Sequence, residues 1–192
     1  MLALYLVIDH HPFSTPTTVV MPAWVPFWPV FALPYSAMMF VWWLLPVAIR
    51  DARRFRACLW ALIISYLLVM PWWVLTPTML PRPALPDGWW AGYYGWLWMN
   101  DPPNNVMPCA HGIGPVVVAW FLGRDRPTWR WPLAGILVLG LPSIALTWQH
   151  RPIDILVGTM AAGLGITIGE ASMRREQRRI KTLGGEVTQP RG

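Results

Sequence analysis

The stretch CLWALIISYLLVMPWWVLTPTM, residues 58–79, contains no charged side chain and is long enough to cross a membrane as one helix. It directly follows a cluster of arginines and is the second of five apolar segments. The other four comprise residues 27–49, 109–122, 131–148 and 152–168. The third segment, 109–122, is short for a span and requires a tilt or a buried start. We therefore predict an all-α, polytopic membrane helical bundle of about five transmembrane helices, with residues 1–172 as one membrane-embedded domain.

The composition of the 192-residue chain supports this prediction. Hydrophobic residues make up 55% of the chain and charged residues only 12%, whereas soluble domains carry roughly 25% charged residues. The deficit in charge excludes intrinsic disorder, a coiled coil and an ordinary cytosolic enzyme. Fifteen tryptophans and twenty-one prolines are typical of a membrane protein, because Trp favours the lipid–water interface and Pro is tolerated within spans.

The basic residues indicate how the segments are oriented. Thirteen of the fifteen lie in three groups that alternate with the apolar segments, at residues 50–56, 124–130 and 174–191. Such groups mark cytoplasmic loops under the positive-inside rule, and no stripe of basic and base-reading residues indicates a nucleic-acid partner. We predict a multi-pass protein of the plasma (inner) membrane with its N-terminus outside. The basic tail, residues 173–192, is then cytoplasmic, and residues 80–108 form an outer loop whose aromatic side chains suit a belt at headgroup level.

The first 26 residues are apolar but are interrupted by four prolines. This interruption predicts a segment that lies in the outer membrane interface instead of a span. His10 and His11 form only a weak metal pair, because no cysteine or carboxylate cluster completes it, so we predict neither a metal nor a cofactor. Cys58 and Cys109 are expected on opposite faces of the membrane, too far apart to form a disulfide. The absence of Lys and Arg from the first 49 residues argues against a signal peptide.

Four polar residues are predicted to emerge together on the outer face. Arg82 follows the second segment, and His111 begins the third. His150 and Asp154 lie between the fourth and the fifth segments. Polar side chains near a hydrocarbon boundary are costly to keep there, which makes each one a candidate functional residue. Three loops that converge on one membrane surface can build a single site.

The spacing of these residues leaves two interpretations open for each. Asp154 could accept a proton from His150 and fix the other imidazole nitrogen as a nucleophile or base, or it could only complement the N-terminus of the fifth helix. His111 precedes a helix N-terminus that favours anions, and it could protonate a leaving oxygen or be an ordinary interface histidine. Arg82 could clamp a phosphate or extend to the lipid headgroups.

Three sequence blocks resemble a known family when they are taken together. They read PRP at residues 81–83, N-x-x-P-C-A-H at 105–111, and S-x-x-x-T-x-Q-H-x-x-x-D-x-x-x-G at 143–158. In order and spacing they are similar to the signature blocks of the type 2 phosphatidic acid phosphatase superfamily, most of all its inositol phosphorylceramide synthase-like branch. The stretch VMPAWVPFWPVFALPYSAMMF also resembles the entry to the first span of that branch, so the resemblance covers residues 21–158.

The resemblance implies a role for each matching residue. His150 matches the histidine that attacks phosphorus and becomes phosphorylated, and Asp154 matches the carboxylate that orients it. His111 matches the acid that protonates the leaving group. Arg82 matches the phosphate clamp of the first block, and Asn105 matches a residue that fixes the loop or lies beside the phosphate.

This chain departs from the family pattern at three positions. Cys109 stands where the family usually has serine, so a weak thiol donor replaces a hydroxyl in substrate binding. Leu75 and Ile144 stand where the family usually has a lysine and frequently has an arginine. With fewer cations at the phosphate, three outcomes are open: Arg151 and the backbone amides of residues 110–112 substitute, the activity is weak, or the chain is a non-catalytic relative.

The resemblance implies a metal-independent phosphatase in the membrane that acts at the outer face through a phosphohistidine intermediate. Its partners would be a lipid phosphate as substrate and the surrounding membrane lipids. If an alcohol takes the place of water, the same site becomes a head-group phosphotransferase of the inositol phosphorylceramide synthase type. A decayed site would leave a lipid-binding protein. A small transporter is disfavoured, because its polar groups should lie near the middle of the membrane and here they lie at one surface.

Overall fold

The structure, a computed structural model, describes residues 15–187 of the chain. Residues 1–14, and with them His10 and His11, lie outside the described residues. Within the described part, four helical stretches are long and apolar enough to cross a membrane: Pro29–Ala48, Ala52–Leu75, Pro127–Leu146 and Pro152–Ile180. The prediction of an all-α membrane-embedded bundle is confirmed.

Helices account for most of the described elements, and the only described sheet has two very short strands. In chain order the elements are β1 (Thr17–Thr18), a 3₁₀ turn (Pro29–Phe31), α1 (Ala32–Met39), a 3₁₀ helix (Phe40–Leu44), α2 (Leu45–Ala48), α3 (Ala52–Leu75), β2 (Thr78–Met79), α4 (Trp89–Asn100), α5 (Ile113–Asp125), a 3₁₀ turn (Pro127–Trp129), α6 (Arg130–Leu146) and α7 (Pro152–Val187). The first span therefore alternates between α and 3₁₀ geometry. β1 pairs in parallel with β2, so that Thr17 lies opposite Thr78.

Helix α5 corrects the third predicted segment. It begins at Ile113 instead of residue 109 and has 13 residues, which gives a length of about 20 Å against a hydrocarbon core of roughly 30 Å. Nine of its residues are buried, and it packs against α3, α6 and α7. The segment is short because it is a core helix of the bundle whose first turn is buried.

Helix α4 lies within residues 80–108, the stretch that the sequence predicts as an outer loop. Its 12 residues are a helix, and its aromatic side chains divide into two groups. Tyr94 is fully buried and its hydroxyl donates to the Pro29 carbonyl, whereas Trp89 and Trp96 are exposed. Part of the aromatic content therefore fastens this connection to the first span, and only the rest can serve as an interfacial belt.

Helix α7 continues without a break past residue 172, where the sequence suggested that a separate tail begins. It has 36 residues and ends at Val187. Residues 173–187 are therefore an extension of the last span.

Small residues bring α7 into close contact with α3. A Cβ atom added at Gly165 would lie 2.2 Å from the Ser65 Oγ and 2.4 Å from the Ala61 carbonyl oxygen. A Cβ atom added at Gly169 would lie 2.5 Å from the Ala57 carbonyl oxygen. Small residues four positions apart let two helix backbones approach closely inside a membrane, and here they set the distance between two of the spans.

We expect Gly165→Val to destabilise the protein, because the added methyl groups collide with the backbone of α3 and overpacking typically costs about 1–3 kcal/mol. Gly163→Val is the matched control, since the same helix carries it and a Cβ atom there has nothing within 4 Å. The apparent unfolding temperature in detergent should fall for Gly165→Val and change little for Gly163→Val. Equal effects of the two substitutions would show that the close contact between α3 and α7 is unimportant.

The three basic groups meet at one end of the bundle. The Arg54 guanidinium donates to the Arg124 carbonyl at 2.7 Å, and the Arg126 Nε donates to the Ala48 carbonyl at 2.7 Å. Arg56 pairs with Glu176 at 2.5 Å. Each of α3, α5, α6 and α7 has one end in this cluster, so the connections that follow α3, precede α5 and join α6 to α7 lie at the other end.

Candidate active site

Residues 101–112 form a connection that is held in place from three sides. The Trp73 indole of α3 donates to the Pro108 carbonyl at 3.0 Å. The Cys109 amide donates to the Asp154 carbonyl of α7 at 3.0 Å, and the Met107 amide donates to the Thr78 hydroxyl at 3.1 Å. These bonds fix the backbone just before α5 against two spans and β2.

Two of the predicted residues, His111 and His150, are in direct contact. The His111 Nδ1 and the His150 Nε2 lie 2.7 Å apart, and both side chains are buried. The residues are 39 positions apart and come from two different connections. The structure therefore brings together the two histidines that the sequence placed on one face.

The second ring nitrogen of His150 determines its tautomer. The His150 Nδ1 lies 2.5 Å from the Val106 carbonyl oxygen. A carbonyl oxygen can only accept a hydrogen bond, so Nδ1 carries the proton. Burial, and next to it the nearby charge of His111, lower the pKa of His150 well below its usual value. The neutral ring has a lone pair on Nε2, and this lone pair accepts the hydrogen bond from the His111 Nδ1.

Asp101 faces the far side of His111 and was not predicted. Its Oδ2 lies 3.5 Å from the His111 Nε2, and its side chain is largely buried. A carboxylate at this position can accept a hydrogen bond from a proton on Nε2. Asp101, His111, His150 and the Val106 carbonyl thus form one continuous row of polar groups.

Asp154 corrects the predicted contact with His150. In the described part of the chain the Asp154 carboxylate makes no hydrogen bond to His150; it binds Arg151 instead. The Arg151 guanidinium donates to both carboxylate oxygens, at 3.0 and 2.7 Å, and the Arg151 amide donates to Oδ2 at 2.9 Å. The amide bond closes the first turn of α7, so the interpretation of Asp154 as a helix N-terminal partner matches the geometry. The physical reason is proximity. The amide and the guanidinium of Arg151 are both close enough to bind the Asp154 carboxylate, and they occupy its oxygens in place of the His150 imidazole.

Arg82 lies beside this row and holds the connections together. Its guanidinium donates to the Trp148 carbonyl at 2.5 Å and to the Asp101 carbonyl at 3.1 Å, and it lies 3.8 Å from the Asp101 carboxylate. The predicted convergence of Arg82 with the histidines is therefore present. The Trp148 and Asp101 carbonyls that it binds come from both histidine-bearing connections.

Cys109 and Asn105 are both fully buried in the connection that precedes α5. The Cys109 sulfur lies with the ring nitrogens of His111 and His150 in a group whose members are all within 4.8 Å of one another. Burial raises the pKa of the Cys109 thiol well above its usual value, although the amides of His111 and Gly112 oppose that rise. Asn105 has a φ of 49°, a left-handed conformation that Asn tolerates better than most residues, which suits a loop-fixing role.

Gly158 of α7 lets the connection that carries Cys109 pack directly against this helix. A Cβ atom added there would lie 2.2 Å from the Cys109 carbonyl oxygen, so only glycine lets the Cys109 peptide lie directly on α7. This is the glycine that ends the third sequence block. Its presence in the pattern was a signal for close backbone contact.

Two members of the row, the Val106 carbonyl and Asp101, could not be predicted from the sequence. The Val106 contribution is a backbone carbonyl, and any residue type supplies one. Asp101 had a weak signal, since Asp87 and Asp101 are the two acidic residues of the stretch 80–108. Nothing in the spacing distinguished Asp101 from the exposed Asp87.

Comparison with protein-family models, with curated proteins and with solved structures finds no match for this chain. The interpretation of the site therefore depends on the residues and distances described above. Those distances define a buried pair of histidines with assigned proton positions, an adjacent carboxylate and guanidinium, and a thiol close to both histidines.

Proposed function

We propose that this protein is an integral membrane lipid-phosphate phosphatase that works through a phosphohistidine intermediate and needs no metal. One observation carries the proposal: the His150 Nε2 carries an unprotonated lone pair because the Val106 carbonyl fixes the proton on Nδ1, and this lone pair accepts a hydrogen bond from His111. Phosphoryl transfer to a histidine requires an unprotonated ring nitrogen as the nucleophile and a proton donor for the leaving oxygen, and the two rings offer one of each. The resemblance of the three sequence blocks supports the same roles.

In the first step the His150 Nε2 attacks phosphorus and the bond from phosphorus to the lipid alcohol breaks. The two rings must separate to admit the phosphoryl group between them. The proton on the His111 Nδ1 then passes to the leaving oxygen, which leaves the ring neutral with its remaining proton on Nε2, on the side of Asp101. Arg82 lies beside this row, and its guanidinium would have to exchange a backbone carbonyl for the phosphoryl oxygens in order to hold them.

In the second step His111, now neutral, accepts a proton from water. The resulting hydroxide attacks the phosphohistidine, the bond from phosphorus to nitrogen breaks, and phosphate leaves. The electron pair returns to the His150 Nε2, so the enzyme is restored. If a lipid alcohol takes the place of water, the same step transfers the phosphoryl group, and the enzyme is a phosphotransferase.

An apolar groove next to the site supports a lipid substrate. It has a volume of about 440 Å³, and its walls come from the ends of α6 and α7, including Leu146, Pro152 and Ile155. Leu146 and Pro152 flank the connection that carries His150. An acyl or isoprenyl chain in this groove would lie against the two helix ends that flank the connection carrying His150.

We also propose that the basic end of the bundle is cytoplasmic and that the histidine pair faces the outer side of the plasma (inner) membrane. The grouping of the basic residues supports this orientation. Gly95 is open around its Cα, so Gly95→Cys should react with a membrane-impermeant maleimide on intact cells, whereas Gly185→Cys should react only after the cells are lysed. Reaction of Gly185→Cys on intact cells would reverse the orientation.

The proposed function is tested by incubating the purified full chain in detergent with a panel of lipid phosphates and a chelator. We expect release of inorganic phosphate, and mass analysis of the lipid products should show the free alcohol. Products that carry the phosphoryl group on a second lipid would identify a transferase. A protein that binds these lipids and neither releases nor transfers phosphate would be the non-catalytic relative, and the proposal would be wrong.

A further inference from the structure

We propose that Cys109, His111 and His150 also form a binding site for a thiophilic divalent cation, and that Zn²⁺ is the ion that fits it best. The sulfur of Cys109 and one nitrogen of each histidine lie within 4.8 Å of one another. The chain thus offers three ligand atoms at one point, from two connections that are already hydrogen-bonded to each other.

The ligand set matches zinc chemistry. Zn²⁺ takes cysteine sulfur at about 2.3 Å and histidine nitrogen at about 2.0–2.1 Å in a tetrahedral arrangement. These bond lengths place two coordinated nitrogens about 3.3 Å apart, whereas the His111 Nδ1 and the His150 Nε2 are 2.7 Å apart. A small separation of the rings, smaller than the one that a phosphoryl group needs, therefore admits the ion and leaves a fourth position for water.

The groups behind the two histidines support a metal site independently. The His150 Nδ1 is bound to the Val106 carbonyl at 2.5 Å, and the His111 Nε2 faces the Asp101 carboxylate at 3.5 Å. Metal-binding histidines almost always give their second ring nitrogen to a carbonyl or a carboxylate, which fixes the ring and raises its basicity. Both histidines of this site have such a partner.

Cys109 is the residue that makes the site selective. A thiolate is a soft ligand that favours Zn²⁺ over the hard ions Mg²⁺ and Ca²⁺, and metal binding releases the thiol proton. Serine at this position would provide no comparable ligand.

Occupancy by the ion has a consequence for the proposed phosphatase. The lone pair of the His150 Nε2 would be shared with the metal and would not attack phosphorus. We therefore expect Zn²⁺ to inhibit turnover in a way that a chelator reverses. This consequence depends on the proposed function, whereas binding of the ion does not.

The binding test uses the purified full chain in detergent, titrated with Co²⁺ as a spectroscopic substitute for Zn²⁺. We expect one equivalent to bind with the intense near-ultraviolet absorption of a cobalt–thiolate bond, and Zn²⁺ to displace it. Cys109→Ser should remove that absorption and weaken Zn²⁺ binding by more than about 100-fold, since even a lost outer partner costs 10–100-fold. Cys58→Ser is the matched control, because it removes the other buried cysteine and should change neither measurement.

His111→Gln and Asp101→Asn extend the test to variants that keep the thiol. The first should weaken Zn²⁺ binding as strongly as Cys109→Ser does, and the second by roughly 10–100-fold. Far-ultraviolet circular dichroism shows whether each variant is folded. The inference is overturned if the wild-type chain binds no stoichiometric ion, or if binding persists in folded Cys109→Ser and His111→Gln.

The activity measurements separate this inference from the proposed function. Stoichiometric binding in a protein that never turns over a lipid phosphate leaves the metal site in place and rejects the phosphatase. Turnover that appears only when the ion is added also supports the site, and it rejects the metal-independent mechanism. Turnover with chelator present and no stoichiometric binding of the ion would support the phosphatase and reject the metal site.

Discussion

Replacement of His150 by asparagine should abolish phosphate release, with a fall in kcat of at least about 10⁴-fold, as is found when other enzymes lose their nucleophile. The asparagine amide can still donate to the Val106 carbonyl in place of the ring Nδ1, so the connection should keep its shape. What the variant lacks is a nitrogen that can form a bond to phosphorus. The measurement is turnover of a lipid phosphate, together with trapping of radiolabelled phosphoenzyme in alkali, where phosphohistidine is stable.

The same substitution at His11 is the control, because His11 belongs to none of the three sequence blocks and should leave turnover and trapping unchanged. A folded His150→Asn variant with near-normal turnover would exclude His150 as the nucleophile. Loss of turnover with undiminished phosphoenzyme would instead assign His150 to the hydrolysis step.

The second large effect is expected for His111→Asn, which should lower kcat on an alkyl phosphate by roughly 10²–10⁴-fold, the usual contribution of a general acid. The loss should depend on the leaving group. The leaving group of a nitrophenyl phosphate is a stable phenolate that needs no proton. The rate at which this substrate forms the phosphoenzyme should therefore fall much less. The ratio of the two losses, measured in single-turnover experiments, identifies the acid.

Equal losses on both substrates would contradict this assignment of His111. They would indicate that His111 acts only by holding the ring of His150 through the bond at 2.7 Å. Asp101→Asn provides a further comparison, since it removes the carboxylate beside His111 and leaves the bond between the two histidines in place.

The spans could be predicted from the sequence because a helix in lipid needs only length and apolar side chains. Sidedness then placed Arg82, His111 and His150 at one end, and their connections do meet there. The internal position of α5 was only partly predictable. Residues 109–122 were recognised as too short for a span, but apolar residues face either lipid or a protein core without any difference in composition.

The details of the site needed three-dimensional structure because its partners are decided by local competition. Asp154 is four residues after His150, and that spacing suggested a contact between them. Arg151 is closer in sequence and satisfies the carboxylate with its amide and guanidinium. The Val106 carbonyl replaces the carboxylate as the partner of His150, and no side-chain pattern encodes it. Helix α4 escaped prediction because its first eleven residues are all aromatic, other apolar residues or glycine, so no polar face marks a helical period.

Because α7 is one continuous helix, it fixes the distance between the arginines near its C-terminal end and the histidine pair near its N-terminal end. Arg174 follows Pro152 by 22 residues, which is about 33 Å along a helix axis, close to the roughly 30 Å thickness of a hydrocarbon core. Glu170 binds Arg174 at 2.9 Å and Arg124 at 3.3 Å, so this part of α7 is also joined to α5. The proposed orientation places these arginines at one headgroup layer, and α7 then holds the histidine pair at a fixed distance from that layer. In a bilayer of longer lipids the histidine pair would lie within the hydrocarbon core, below the opposite headgroups. The thickness of the membrane would then determine how much water and phosphate can reach the pair.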